Sequence, residues 1–270
     1  MSAASRLQRF GLRGIALFYL TALLVVPVGI IFWKTFEDGI GPPLEAITSP
    51  EGLHAFWLTI LCVGIAVPLN TIFGVVAALV IVRQRFRGRA LLNAAIDLPF
   101  AVSPVVVGLS LLLVYGTRDG WVGNWFAEQG IRIIFSTPGM ILATMFVSLP
   151  FVVRETIPVL REIGTEQEQA AATLGAGPFQ TFFRITLPAI RWGVAYGVVL
   201  TTARALGEFG AVSIVSGKLS GQTETATLLV ESEFRRFNET GAYAASVVLC
   251  VLALVTLLAM NLIKPKEART

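Results

Sequence analysis

Apolar runs long enough to cross a lipid bilayer recur about six times along this chain, and they leave few architectures open. A helix needs roughly 20 apolar residues to span the hydrocarbon core. Inside that core every backbone N–H and C=O must find its partner within the protein. The runs fall at Gly14–Trp33, Phe56–Val82, Leu91–Tyr115, Pro138–Val153, Ala189–Val215 and Ala242–Ile263. Only 14% of the 270 residues are charged, where a soluble domain carries about a quarter. The expected fold class is an all-α integral membrane protein with about six transmembrane helices in one domain, residues 1–270. Pro68, Pro99 and Pro104 lie within runs and mark places for bends.

Arginine and lysine accumulate in cytoplasmic loops, so their distribution predicts orientation. Arg6, Arg9 and Arg13 precede the first run without an acid. The connection from Lys34 to Ala55 has one lysine against Glu37, Asp38, Glu45 and Glu51. Arg83, Arg85, Arg87 and Arg89 follow the second run. The loop from Gly116 to Thr137 is balanced, Arg118 and Arg132 facing Asp119 and Glu128, and the tail carries Lys264, Lys266 and Arg269. Both termini and the segment 164–188 are therefore expected in the cytoplasm. The same rule accounts for the net charge of +4, so the basic balance is no sign of nucleic-acid binding. The first run is longer than a secretory h-region and lacks a small-residue cleavage site, so it is expected to stay as a helix. Cys62 and Cys250 fall in apolar runs, where no disulfide framework is expected. His54, the single histidine, is placed in an outer loop, and no metal site can be assembled around it. The chain has no phosphate-binding loop, no G-x-S-x-G elbow and no H-E-x-x-H.

Between two apolar runs lies a polar island, TEQEQAAATLGAGPFQTFFRITLP, from Thr165 to Pro188. Thr165 and Glu168 have the spacing of a capping box that starts a helix. Three alanines and Leu174 continue it, and Gly175 can end it in the left-handed conformation. Gly177-Pro178 restarts the chain with proline at the first helical position. The expectation is two short, water-facing helices in series, a docking site for something outside the membrane.

Three ionisable residues stand out inside the runs. Asp97 sits near the cytoplasmic end of the third, beside Asn93, Pro99 and Pro104. It holds helix ends together, or faces interfacial water, or lines a pathway. Arg204 and Glu208 are four apart in ARALGEFGA and share one face of a helix. An unpaired arginine at the bilayer centre costs about 2.5–3.5 kcal/mol, so a partner or a wet cavity is needed. In a helix starting at Pro188, Arg204 is sixteen residues along, about 24 Å and past the midplane. Gly207 and Gly210 flank Glu208 and permit close helix approach or local unwinding. Two roles stay open for the pair: lining an anion pathway, or fixing helix packing.

Gln169-Ala170-Ala171, Gly175, Ile185, Leu187 and Pro188 fall on the spacing of a known consensus. That consensus is E-A-A, three residues, Gly, nine residues, I-x-L-P, in the cytoplasmic loop before the penultimate helix. On these residues the chain resembles ATP-binding-cassette (ABC) importer permeases with a MetI-like fold. It departs from the pattern at Gln169, where the family has Glu; Glu168 beside it is the substitute charge. The segments Ala203–Gly217 and Gly221–Glu231 resemble the sulfate and thiosulfate permeases, W-type in particular, though molybdate permeases share the GEFGA run. The resemblance implies a coupling loop seated on an ATPase, no catalytic site or cofactor in this chain, and ATP with magnesium used by that ATPase. It implies four kinds of neighbour: a second permease, a cytoplasmic ATPase dimer, an extracytoplasmic sulfate-binding protein and membrane lipid. The implied location is the bacterial inner membrane, and the implied cycle has the ATPase pair rocking the spanning bundle. An ion-coupled carrier using Asp97 or Glu208, and a membrane-embedded enzyme, are the competing classes; neither a repeat nor a catalytic cluster supports them.

Overall fold

The computed structural model describes residues 3–118 and 120–263, with side-chain surroundings for 11–118 and 120–259. Of the charges used for orientation, the side chains of Arg6 and Arg9, with Asp119, Lys264, Lys266 and Arg269, lie outside the described residues. Every regular element among the described residues is helical. Five helices are long and apolar enough to cross a membrane: α1 (Gly11–Phe36), α3 (Pro50–Arg83), α7 (Thr137–Glu162), α9 (Pro178–Leu206) and a last helix whose span is Glu239–Ala259. Short helices lie between the first two, α2 (Gly41–Thr48), and before α7, α6 (Gly123–Glu128).

The third span is broken. In place of the single helix expected over Leu91–Tyr115, α4 (Arg89–Ala101) and α5 (Pro104–Tyr115) meet at a bend of 113°. Pro104 is the cause: its ring drives the preceding residue out of the helical region, and both Val102 and Ser103 are extended. Pro68 and Pro99, by contrast, sit inside continuous helices. The fourth span does not stop at Val153; it runs on as α7 to Glu162, in two segments, Thr137–Ser148 and Pro150–Glu162. The fifth starts earlier and ends earlier than expected. It runs from Pro178 to Leu206, after which a loop leads to a separate helical turn, α10 (Val212–Val215). His54 belongs to α3 rather than to a loop, with Nε2 3.0 Å from the Gln222 carbonyl oxygen.

The core is built around α7. Val152 and Val153 are fully buried, with Ile81 of α3, Ile190 of α9 and Leu160 of α7. Two helices close on the same valine because each presents a glycine. A Cβ on Gly74 of α3 would lie 2.7 Å from Val152 Cβ, and one on Gly197 of α9 2.8 Å from Val152 Cα. Small residues at such crossings let backbones approach and gain dispersion contacts that lipid cannot offer. Asn70 of α3 adds a polar tie, its amide donating to the Met145 carbonyl and to Ser148 Oγ, both 2.9 Å. α1 stands at the periphery; none of its apolar window is buried within the chain.

Two ends of the bundle follow. Arg83 to Arg89 and the segment 162–178 share one, called here the elbow end, joined by Arg83 to Gly164 at 2.6 Å. At the other, Phe135 N–H donates to the Val215 carbonyl (2.7 Å) and Ala226 N–H to Thr59 Oγ1 (2.8 Å). There α11 (Ala226–Arg235) precedes α12 (Glu239–Ile263). Replacing Gly197 with leucine should cost about 1–3 kcal/mol through overpacking against Val152. The expected observation is a lower thermal midpoint of the detergent-solubilised protein. Gly64→Leu, where an added Cβ meets nothing within 4 Å, should leave that midpoint in place.

Candidate functional site

The elbow begins with α8 (Glu166–Thr173). Thr165 precedes it, yet its side chain makes no cap, and the expected capping box is absent. Glu168 has turned inward instead. Its Oε2 lies 3.0 Å from Arg83 Nε, its Oε1 accepts from Arg83 Nη2 at 3.1 Å, and the Thr186 hydroxyl donates to Oε1 at 2.9 Å. A charged donor outcompetes a neutral backbone N–H for a carboxylate. Arg83 also donates to the carbonyls of Leu160 (3.1 Å) and Gly164 (2.6 Å). One arginine thus gathers the ends of α3 and α7, the elbow helix and the start of α9. Glu168 is consumed by this clasp, so it does not stand in for the outward charge missing at Gln169. Gln169 itself is exposed and donates to Thr165 Oγ1 at 3.1 Å.

The helix ends as the sequence predicts. Gly175 has φ +82°. Its N–H donates to the Ala172 carbonyl, and Ala176 N–H donates to that of Ala171, both at 3.0 Å. This is the paired bonding of a glycine-closed C-terminus. An added Cβ at Gly175 would meet nothing within 4 Å, so its constraint is conformational, not steric. Ala171 packs inward while Ala170 is exposed.

The second helix corrects the expectation of two short pieces. Starting at Pro178 behind Gly177, it continues through a widened π-turn at Phe182–Thr186 into the rest of α9. Pro188 has no N–H to offer the carbonyl four residues earlier, and wide turns are a common accommodation of such a gap. Ile185 lies in that turn; Ile185 and Leu187 are half-buried, and Pro188 is exposed. Outside, the elbow shows apolar side chains unusual for a polar segment: Leu174 is 88% exposed and Phe179 82%. Beside it an open surface groove of about 360 Å³ is lined by Leu79, Arg83, Glu168, Ala172, Phe182 and Thr186.

Arg204 occupies the last turn of α9, and Glu208 lies beyond the helix end, past Gly207. The expected pair forms, Arg204 Nη1 standing 2.7 Å from Glu208 Oε2, but across a helix end rather than along a helix face. Glu208 is 4% exposed and locally fixed: Oε1 accepts Ala211 N–H at 2.9 Å, and its carbonyl accepts the Thr227 hydroxyl at 2.8 Å. Gly207 is where α9 unwinds. Gly210 serves close approach, since its Cβ would lie 2.8 Å from Pro104 Cβ. The break after α9 and the break between α4 and α5 therefore pack on one another.

Asp97 is tied elsewhere. Arg154 of α7 grips it with both forks, Nε to Oδ1 at 2.7 Å and Nη2 to Oδ2. Neither Arg83 nor Arg154 was singled out by the sequence pattern. Arg83 is hidden among four arginines that topology alone explains, and Arg154 looks like the residue that ends a span. Its signal is the apolar sequence resuming after it, with Ile157 and Leu160 on the buried face.

A bundle of five unbroken spans and one bent span, with a glycine-closed elbow before the penultimate helix, defines a class: a polytopic helical subunit of a membrane transport machine. A chain in the crystal structure of a bacterial alginate ABC transporter, solved with its alginate pentasaccharide-bound periplasmic protein, has the same fold. The TM-score is 0.78 at 19% identity, covering 99% of this chain and 97% of that one. The chain belongs to the family of binding-protein-dependent transport system inner membrane components, whose profile matches residues 70–269. Among curated relatives, the sulfate transport system permease protein CysW of Synechocystis sp. is 50% identical, over 96% of this chain and 93% of its own. CysW of Escherichia coli K12 is 43% identical over 98% and 94%. CysT of Escherichia coli K12, also a sulfate transport system permease protein, is 34% identical over 95% and 92%.

Arg83→Met should free the elbow without dissolving the spans. Amide exchange over residues 164–175 should accelerate about tenfold or more, given ~1.5–3 kcal/mol for a charge-assisted hydrogen bond. Exchange within α7 around Val152 should be unaltered.

Proposed function

We propose that this chain is the transmembrane permease subunit of an ATP-driven sulfate and thiosulfate importer. The observation that carries the reading is near-full-length identity of 50% to a sulfate permease, on a chain with the expected elbow. The likeness to both CysW and CysT supports pairing with a second, related permease. The family's description supports an extracytoplasmic binding protein and an inner-membrane location. In this reading the elbow end faces the cytoplasm, both termini lie on that side, and residues 164–188 meet an ATPase dimer that uses ATP and magnesium. This chain contributes no catalytic group.

The geometry supports a division of parts. Gln169 and Ala170 face the cytoplasmic contact, Glu168, Ala171 and Gly175 shape it from within the elbow, and exposed Leu174 and Phe179 supply its apolar surface. Ile185, Leu187 and Pro188 begin the transmission into α9. At the far end of that helix Arg204, Gly207, Glu208 and Gly210 border the pathway, with Asp97 nearer the elbow. Irregular backbone at membrane depth is tolerated where protein covers it or a cavity is lined. The meeting of two helix breaks at Gly210 and Pro104 meets that condition.

Uptake of radiolabelled sulfate by proteoliposomes holding the chain with a second permease, ATPase and binding protein tests the reading. Uptake should require ATP and be inhibited by thiosulfate; inhibition by molybdate alone would reassign the cargo. Gly175→Val should retain the assembled complex and its ATP hydrolysis while uptake falls at least tenfold. The expectation follows from forcing a β-branched residue to a positive φ, a cost of about 1–3 kcal/mol that reshapes the elbow. Undiminished uptake by that variant would remove the coupling assignment.

A further inference from the structure

We propose that Arg154 is an anion station in the elbow-side half of the pathway, with Asp97 as its built-in counter-ion. In transit the guanidinium exchanges the Asp97 carboxylate for the passing oxyanion, then returns. This rests on the reading of the chain as an anion importer and extends it to a residue outside the coupling consensus.

Arg154 lies eight residues before the end of α7, and Asp97 eight residues after the start of α4. Each is about 12 Å along its helix from the elbow end. At such a depth a charged pair is expected to face protein or water, not hydrocarbon. Yet the side chains are 34% and 47% exposed within this chain. The α4–α7 face at this level is therefore turned toward an aqueous path shared with the second permease. The Arg83–Glu168 clasp offers the contrast, with side chains only 17% and 22% exposed and two carbonyls added. That pair is closed; this one is accessible.

Chemistry supplies the second line. A guanidinium fork fits two oxygens of a carboxylate, and it fits two oxygens of a tetrahedral oxyanion in the same way. Nε and Nη2 hold Asp97, and Nη2 also reaches the Asn93 carbonyl at 3.4 Å. Among the described residues Nη1 donates to no acceptor, so one arm is available before the exchange begins. A bare arginine would bind a dianion too firmly for passage, since conduction needs sites that release. An internal carboxylate competing for the same fork sets that release.

The other arginine pair leaves its guanidinium accessible as well. Arg204 is 31% exposed at its side chain while Glu208 is 2% exposed, and Glu208 is pinned by Ala211 N–H. Here the carboxylate is fixed and the arginine is the accessible partner, whereas in the Arg154–Asp97 pair both partners are accessible. Two arginine–carboxylate pairs at different depths make a route of two stations.

The test uses the assembled complex of permeases and ATPase carrying Asp97→Asn. Retention of radiolabelled sulfate is measured without binding protein, and uptake is measured in proteoliposomes with it. Retention should tighten about tenfold, as one charge-assisted contact of Arg154 passes from Asp97 to the ligand, while maximal uptake falls. Chloride at equal ionic strength should not displace the retained sulfate, and thiosulfate should. A pair that only packs helices would lose assembly or uptake without tightening retention. Wild-type import with unchanged or weaker retention in Asp97→Asn overturns the proposal. If neither Asp97→Asn nor Asp97→Ser assembles with the second permease, the pair is a packing contact and the proposal also falls. Absence of sulfate import by the wild-type complex would instead refute the importer reading.

Discussion

The constraint on which this molecule depends is that hydrocarbon offers no hydrogen bonds and no counter-ions. Charges carried into the bundle are therefore favoured where they are matched inside it, and three such matches help decide which helices meet. Arg154 with Asp97 pins the first limb of the bent span to the central helix. Arg204 with Glu208 closes the end of α9 over a break that would otherwise leave polar groups bare. Arg83 gathers carbonyls from the end of α7 and the turn that follows it. Backbone obeys the same rule, since the two non-helical stretches in the bundle cover one another through Gly210 and Pro104.

Apolar contacts play a different part. With lipid as solvent, burying leucine or valine yields little by itself, and close packing carries the attraction. Gly74 and Gly197 let α3 and α9 close on Val152 from separate directions. α7 thereby becomes the axis of the fold, while α1 leans on the last helix and keeps its apolar surface outward.

Much of this was legible in the chain. The spans were visible because a bilayer demands long apolar runs, and the elbow was visible because Gly175 and Gly177-Pro178 have narrow conformational uses. Span edges were harder. Val153 looked like an end because Arg154 follows it, and a lone sequence does not display Asp97 arriving from 57 residues away. The bend at Ser103 was announced by Pro104, yet Pro68 carries the same local signal without breaking its helix. Proline says where a helix can open; packing says where it does. The capping box failed for a related reason, because Glu168 had a stronger partner in Arg83 that local spacing does not reveal.

The unbroken passage from Pro178 to Leu206 has its own consequence. The outer surface of the elbow and the turn bearing Arg204 are two ends of a single rod, stiff except at the wide turn of Phe182–Thr186. A displacement at Phe179 that the wide turn transmits would reach the opposite side of the bundle as a tilt of one helix. Because α7 packs closest against this helix at Gly197, such a tilt would pivot there and carry the two ends in opposite senses.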